Sequence, residues 1–177
     1  MINMIQPHDA DGRFDLPLSE ISSELIQQFH RHWLQICSTG RLPGRADIDP
    51  SNFKRILPNV ILVDVERDPF RVRYRLCGTR VTEYCGQLTG RYLDEVGAND
   101  VWSTAAYLRQ YEIAALETRP IFSFDRTTGR SGVRHPLQTG IWPLASDGRT
   151  VDRCIAVEDY LRFRRIDPQP APLMKIY

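Results

Sequence analysis

Side chains that could bind a metal or act as nucleophiles are scattered along this chain of 177 residues. The candidates are its four histidines and four cysteines: His8, His30, His32, His135, Cys37, Cys77, Cys85 and Cys154. They do not cluster as metal ligands do, and no two cysteines have the C-x-x-C spacing of zinc and redox motifs. We therefore predict no metal site, and we predict reduced thiols of the kind found in cytosolic proteins.

Two aspartates in the second half of the chain, Asp125 and Asp159, lie in predicted strands, and either could act as a general base. A carboxylate in that role must be buried so that its pKa rises toward neutrality. The sequence contains neither a G-x-S-x-G nucleophile motif nor a Walker-type phosphate loop. We predict that the protein is not an enzyme. The alternative is a small enzyme on a cone-like α+β fold with one of these carboxylates in its pocket.

Composition and charge narrow the classes of partner. The formal net charge is +1, so the whole chain has no field that would attract nucleic acid or an anionic membrane. No apolar run approaches the ~20 residues needed to cross a bilayer. The first 15 residues lack the basic and apolar regions of a signal peptide. These features predict a cytoplasmic protein that binds neither nucleic acid nor membrane.

The first predicted element is an amphipathic helix over residues 20–37, with Ser19 as its N-cap. Four apolar residues recur on one side of this helix: Ile21, Leu25, Phe29 and Trp33. This stripe is larger than the edge of one sheet would need, so we predict that it forms the interface of a homodimer. A second long helix is predicted from about residue 99 to residue 117.

Two strands follow the first helix at about 60–65 and 70–76, because apolar residues there form a continuous run and then a strict alternation. Three more are predicted at 121–125, 134–144 and 151–160, with Ile155 and Val157 on the opposite side from Cys154 and Ala156. The prediction is an α+β fold: a five-stranded antiparallel sheet with helices on one face and an N-terminal amphipathic helix. Its predicted parts are a flexible arm (1–18), one domain (19–165) and a tail (166–177).

Several stretches resemble the PAS sensor family, in particular its short single-domain bacterial members. The matching segments are LPGRADIDP (42–50), LPNVILVDV (57–65), RVRYRLCGT (71–79) and LTG (88–90). The order β-β-α-α-β-β-β is also similar, and the resemblance covers about residues 20–161. It implies a sensory or ligand-binding role in bacterial signal transduction that acts through contact with another protein. The sequence contains no recognisable effector domain, so the downstream protein is unknown.

The resemblance implies a ligand between the sheet and the helical crossover, in a mostly apolar pocket. The implied lining residues are Tyr74, Leu76, Val81, Tyr84, Tyr107, Tyr111, Phe122, Phe124, Thr139 and Ile141. Strand parity decides whether Phe122 and Phe124 or Ile121 and Ser123 point inward, and the pattern alone leaves both open. A cavity-free adaptor, in which these aromatic residues simply fill a core, is a further alternative.

Neither haem nor flavin is supported as a cofactor. A haem ligand is expected on the long helix or the crossover, and none of the four histidines lies there. Cys85 lies in the crossover, where flavin-binding relatives place a reactive cysteine, but its context EYCGQLTG lacks their motif. A small-molecule ligand is expected, and its identity stays open.

Overall fold

The computed structural model describes residues 12–37, 40–96, 101–128 and 134–161. Five strands form one antiparallel sheet: β1 (Val60–Arg67), β2 (Phe70–Cys77), β3 (Ile121–Thr128), β4 (Arg134–Leu144) and β5 (Arg153–Tyr160). Their order across the sheet is β2-β1-β5-β4-β3, so the first and last strands in sequence are neighbours at the centre. This confirms the predicted α+β class and sheet.

Four α-helices cover the two faces of the sheet: α1 (Glu24–Ile36), α2 (Thr79–Cys85), α3 (Leu93–Val96) and α4 (Val101–Glu117). Helices α2 to α4 lie on one face, as predicted, and α4 packs across β2, β3, β4 and β5. Helix α1 packs against β4 and β5 on the opposite face. In the part of the chain that the structure describes, no helix is both long and apolar enough to cross a membrane.

Helix α1 begins later than the sequence predicted. Residues Leu18–Glu20 form a separate 3-10 turn, and Ile21 is buried in extended backbone after it. The N-cap is Ser23 rather than Ser19, because the Ser23 hydroxyl accepts a hydrogen bond from the Ile26 amide at 3.3 Å. The same hydroxyl donates to Asp159 in β5 at 2.6 Å, which fixes the start of the helix against the sheet.

The apolar stripe of α1 is buried within its own chain, which corrects the predicted dimer interface. Ile21, Phe29 and Trp33 are at most 5% exposed, and Leu25 is partly buried in the same cluster. Two indole groups hold the helix in place. Trp33 Nε1 donates to the Pro143 carbonyl at 3.3 Å, and Trp142 Nε1 in β4 donates to His30 Nδ1 at 3.1 Å. Ile21, Leu25, Phe29 and Trp33 therefore line the contact between α1 and the sheet.

Short segments of the same chain pair with both edges of the sheet. Arg13 exchanges two backbone hydrogen bonds with Phe124 in β3, and the Leu16 amide donates to the Phe122 carbonyl at 2.9 Å. On the other edge, Tyr74 in β2 exchanges backbone hydrogen bonds with residues 90 and 91. Covered edges limit pairing with other chains. Residues 13–16 of the predicted arm thus pair with the sheet, and residues 1–11 lie outside the described residues.

Candidate functional site

The face of the sheet beneath α4 carries two contrasting rows of side chains. The first row is apolar and crosses all five strands in register: Ile121, Ile141, Ala156, Ile61 and Cys77. The second row lies two residues away from the first on β3, β4 and β5, and it is polar: Ser123, Thr139 and Glu158. Because side chains alternate along a strand, both rows point toward α4.

Burial makes the polar row unusual. Ser123 is 1% exposed and Thr139 is 2% exposed, so both hydroxyl groups lie in the interior. Interiors tolerate polar side chains mainly where hydrogen bonds compensate for lost water. A polar row in the middle of an apolar face is therefore the kind of feature that fixes the orientation of a bound molecule.

Glu158 is the one acidic member of this row. Its carboxylate accepts a hydrogen bond from the Tyr160 hydroxyl, two residues along β5 on the same face. Burial raises the pKa of Glu158, and the hydrogen bond from Tyr160 opposes that shift. Among the described residues, no arginine, lysine or histidine is paired with this carboxylate.

Four tyrosines lie near Glu158. Burial is the main cause of the raised pKa of Tyr74, Tyr107, Tyr111 and Tyr160, and the charge of Glu158 contributes to each shift. A charge perturbs only groups that lie close to it in the interior, so these four residues share one environment with the carboxylate. Glu158 and Tyr107 nevertheless keep partly accessible surface. We refer to the part of the sheet that these residues line, next to α2 and α4, as the α4 recess.

Helix α2 forms the side of this recess next to β5. The Tyr84 ring stacks on the Tyr160 ring with centroids 4.1 Å apart and planes at 7°. Cys85 Sγ lies 3.5 Å from the Tyr160 hydroxyl oxygen. Burial, and next the charge of Glu158, raises the pKa of Cys85 to about 11, so its thiol stays protonated at neutral pH.

Helix α4 contributes a buried amide that lacks a partner. Gln110 is 2% exposed and lies between Tyr107 and Ala114, which both pack on the sheet. Its Nε2 donates to the Ala106 carbonyl at 3.5 Å, but its Oε1 has no hydrogen-bond partner among the described residues. An unsatisfied buried acceptor costs about 1–3 kcal/mol, so it needs a reason.

Removing the side-chain amide of Gln110 is expected to stabilise the protein when no ligand is bound. Gln110→Leu should raise the free energy of unfolding by about 1 kcal/mol, because no buried oxygen is then left unpaired. Equilibrium urea unfolding measures the change. Gln28→Leu, at an exposed position of α1, is the control and should change stability by less than about 0.5 kcal/mol. A destabilised Gln110→Leu variant would show that the amide is satisfied in the empty protein.

The carboxylate of Glu158 gives a pH-dependent prediction. Because its pKa is raised in the folded state, the folded protein binds this proton more tightly than the unfolded chain does. Its contribution to the free energy of unfolding therefore falls as pH rises from about 4.3, the ordinary value for Glu, through the folded pKa. Urea unfolding at pH 4 to 8 should show Glu158→Gln gaining stability relative to the unmodified protein as pH rises. A pH-independent difference would contradict this.

Seven predicted lining residues lie on the α4 side of the sheet. They are Tyr74, Val81, Tyr84, Tyr107, Tyr111, Thr139 and Ile141. Five come from β2, α2 and α4, and the last two come from β4. Their shared position makes them candidates for ligand contact.

Three predicted lining residues lie elsewhere. Leu76 is 49% exposed, because the register between β1 and β2 shifts at Leu62 and Val63 and reverses the alternation after Tyr74. Phe122 belongs to the core beneath α1, and Phe124 has the same parity. Ile121 and Ser123 are the β3 residues that face α4.

The two aspartates that were candidates for a general base, Asp125 and Asp159, lie on opposite faces of the sheet. Asp159 points toward α1 and accepts the hydrogen bond from Ser23, so it is not in the recess. Asp125 has the parity of Ser123, and its charge contributes to the raised pKa of Tyr107 after burial and Glu158. Glu158, Gln110 and Ser123 were not predicted as site residues. The alternation of Cys154, Ala156, Glu158 and Tyr160 could have indicated the first of them.

Two open grooves flank α2. One has a volume of about 290 Å³ and is lined by Leu25, Asn59, Arg80, Asp159, Tyr160 and Leu161. The other has a volume of about 610 Å³ and is lined by Cys77, Thr79, Thr82, Glu83, Gln87 and Thr89. Tyr160 and Cys77 thus connect surfaces of α2 with the tyrosine cluster around Glu158.

A comparison of the sequence with models of known protein families identifies the family. The family model described as "PAS domain" matches residues 21–153, so this chain belongs to the PAS domain family. PAS domains are sensory modules of signal transduction, and their fold is generally non-enzymatic. No curated protein matches the sequence.

Two solved structures are similar to this chain. The PAS domain of Bordetella pertussis BvgS is 16% identical, with a TM-score of 0.48 over 66% of this chain and 90% of that one. An RNA-binding light-oxygen-voltage receptor is also 16% identical, with a TM-score of 0.44 over 70% of this chain. The match spans 35% of the receptor chain.

Proposed function

We propose that this protein is a non-enzymatic sensory module that binds a small molecule in the α4 recess and signals through contact with another protein. The observation that carries the proposal is the unpartnered Oε1 of Gln110 on the sheet-facing side of α4. An apolar residue there would avoid the cost of an unsatisfied acceptor, whereas a ligand that donates a hydrogen bond would remove it. The buried Ser123 and Thr139 hydroxyls offer further polar contacts.

Native mass spectrometry of the protein purified from its own host tests this proposal. The expected result is a second species that is heavier than the chain by the mass of one small molecule and that disappears on denaturation. A ligand bound only to the folded state also stabilises it, by about 2.7 kcal/mol at a concentration 100 times Kd. Protein that carries no added mass and has the same stability before and after refolding would contradict ligand binding and favour the cavity-free adaptor.

An enzyme remains the second candidate, and Glu158 is the observation that favours it. A partly buried carboxylate with a raised pKa beside a tyrosine hydroxyl has the properties of a general base. In this reading Glu158 replaces Asp159, which contacts α1. The molecule released from host-purified protein separates the two candidates. Incubation with fresh protein should return it unchanged if the protein is a sensor, and converted if the protein is an enzyme.

A cytoplasmic homodimer is part of the same proposal. Its interface would have to avoid the buried stripe of α1 and use outward surfaces, where Leu34 and Leu116 are 52% and 60% exposed. Sedimentation velocity at micromolar concentration measures the state directly. A species of twice the chain mass supports the dimer, and a monomer at every concentration contradicts it.

A further inference from the structure

One of the two indole hydrogen bonds that hold α1 on the sheet has an acceptor that can take up a proton. Trp142 Nε1 donates to His30 Nδ1 across 3.1 Å. An indole N–H can only donate, so this imidazole is neutral and carries its own proton on Nε2. Imidazolium has a proton on both nitrogens and accepts no hydrogen bond. The bond therefore exists only while His30 is neutral.

The surroundings of this bond hold the indole in place. The half-buried His30 ring is stacked on the Trp33 ring at 6.5 Å and meets the Phe122 ring edge-on at 5.4 Å. Trp142 is 0% exposed. A Cβ atom on Gly140 would lie 2.4 Å from Cη2 of Trp142, so the indole lies directly on the backbone of β4. While α1 is packed on the sheet, the Trp142 N–H thus stays in the interior.

The nearest described parts of β3 and β4 place no negative charge beside His30. Residues 121–124 of β3 and 137–144 of β4 contain no ionisable side chain. The first charged residue of β3 on this face is Arg126, four residues or about 13 Å beyond Phe122. Its charge has the same sign as imidazolium, so it would not stabilise the protonated ring.

The charged residues of β5 on this face, Asp159 and Arg153, are engaged elsewhere. Asp159 accepts the hydrogen bond from Ser23, which precedes His30 by seven residues or about 10 Å of helix. Arg153 pairs with Asp64 of β1, with 3.0 Å between the charged atoms. Neither residue is a counter-ion for His30.

Helix α1 and the segment before it add no counter-charge. Glu24 and Arg31 of α1 are exposed. The ring of His32 lies 5.4 Å from the Phe53 ring. The charged residues of the described segment 12–20 form two ion pairs, Arg13 with Glu20 and Asp15 with Arg119. Burial is accordingly the one cause of the lowered pKa of His30.

Protonation of His30 would set two N–H groups against each other. The Trp142 N–H would be buried without an acceptor, and a positive charge would lie in the contact without a counter-ion. Both penalties disappear if α1 leaves the sheet, because water then reaches both rings. Protonation therefore favours the open form over the form in which α1 is packed on the sheet.

We propose that the contact between α1 and the sheet is a proton-sensitive switch, in which His30 accepts the hydrogen bond of Trp142 when neutral and its protonation releases α1. This inference goes beyond the proposed function, since its input is a proton on the α1 face and not a ligand in the α4 recess. Release would expose Phe29 and Trp33, which are at most 5% exposed in the packed form. Acidification would thus present an apolar side of α1 that is covered at neutral pH.

The direction of the pH effect follows from the burial of His30. Burial lowers its pKa below the ordinary value of 6.5, so the packed form binds the proton less tightly than the open form does. The packed form is therefore fully favoured above about pH 6.5 and loses stability as pH falls below that value. One such proton can change the opening equilibrium by at most about tenfold between pH 7.5 and pH 5.5.

Native-state hydrogen exchange measures the opening of α1 residue by residue. Exchange rates of amides in α1, β4 and β5 are divided by their intrinsic rates at each pH to give opening equilibrium constants. The constants of α1 should exceed those of both strands and should rise about three- to tenfold from pH 7.5 to pH 5.5. A rise of less than about twofold would overturn the inference. Equal constants in α1 and the strands at both pH values would also overturn it, because α1 would then open only with the whole fold.

A pair of matched variants assigns the effect to His30. His30→Asn removes the proton site and keeps an acceptor, because Asn Oδ1 takes the place of His Nδ1. In this variant the opening constants of α1 should change less than about twofold between the two pH values. His32→Asn makes the same replacement two residues along α1 and should keep the full pH effect. Comparing the variants at equal pH also cancels the opposite pH effect of Glu158. A pH effect that survives in His30→Asn, or that vanishes in His32→Asn, would show that another group is responsible and that the inference is wrong.

The indole N–H signal of Trp142 gives a readout that needs no substitution. In the proton–nitrogen NMR spectrum of the unmodified protein, it should shift with the same midpoint as the His30 ring, and this midpoint should lie below pH 6.5. A Trp142 signal that does not change from about pH 7.5 to about pH 4.5, or a His30 midpoint at or above 6.5, would contradict the switch.

Discussion

Replacing Phe29 by alanine should lower the free energy of unfolding by about 3–5 kcal/mol, the usual cost of deleting a buried aromatic ring. Phe29 is fully buried at the centre of the contact between α1 and the sheet. Its ring meets the Trp142 ring at 4.7 Å and the Phe53 ring at 5.2 Å, both edge-on. Loss of the ring removes burial and both aromatic contacts. Urea denaturation followed by tryptophan fluorescence measures the change.

The matched control for Phe29 lies on the same helix. Leu34 is 52% exposed, so Leu34→Ala should change stability by less than about 0.5 kcal/mol. If Phe29→Ala were nearly neutral, or if Leu34→Ala were equally destabilising, the outward side of α1 would be the buried one. That result would restore the interface predicted from the sequence, with the stripe packed on a second copy of the chain.

Introducing a single methyl group at Gly78 should destabilise the fold by about 3 kcal/mol, the upper range for overpacking. A Cβ atom at this position would lie 2.3 Å from the Pro58 carbonyl oxygen and 2.4 Å from the Leu57 carbonyl oxygen. Both contacts are to backbone, so no side chain can rotate away. Gly78 is the N-cap of α2, and its amide donates to the Val60 carbonyl at 2.8 Å. Gly78→Ala must therefore displace the helix that carries Tyr84 and Cys85.

Gly40 provides the comparison for this substitution. It has a positive φ of 73°, but a Cβ there would meet nothing within 4 Å. Gly40→Ala should thus cost only the conformational strain of the left-handed backbone, about 1–2 kcal/mol. Thermal or urea unfolding of both variants ranks the two effects. A Gly78→Ala variant as stable as Gly40→Ala would contradict the close approach of α2 to residues 57 and 58.

The fold was predictable because its signals are local and repeated. Strict alternation over β2 and the apolar stripe of α1 each indicate one buried face, and the continuous apolar run of β1 indicates burial on both faces. The pattern of an amphipathic helix, however, does not show which part of the protein covers its apolar side. Residues 22–23 meet Gln138 and Asp159 more than 100 positions away, and these contacts bring α1 onto its own sheet. No pattern within α1 contains that information.

The candidate site was predicted in part for a related reason. Tyr74 was placed correctly, but Leu76 was not, because the irregularity in the β1–β2 register has no marker in the sequence. The facing of Phe122 could not be predicted, because aromatic residues are buried under either layer, and the structure places it beneath α1. Glu158 was overlooked since acidic residues are usually exposed, although the alternation of β5 was read correctly for Ile155 and Val157.

The two faces of the sheet carry different kinds of side chains. The α1 face is closed by aromatic contacts and by the hydrogen bonds of Trp33 and Trp142. The α4 face carries buried polar groups and the unpaired oxygen of Gln110. Buried side-chain atoms without a partner among the described residues occur on both sides, since His32 Nε2 of α1 is one as well, so the Gln110 oxygen is distinguished by its position on α4 and not by being unpaired.

Native mass spectrometry of Gln110→Leu, produced in the protein's own host, tests ligand binding in the α4 recess most directly. The unmodified protein and the exposed control Gln28→Leu should carry the same added small-molecule mass. Gln110→Leu should have lost it, while being the most stable of the three after refolding. If Gln110→Leu retains that mass at full occupancy, or if the unmodified protein carries none, the α4 recess is not the ligand site that we propose.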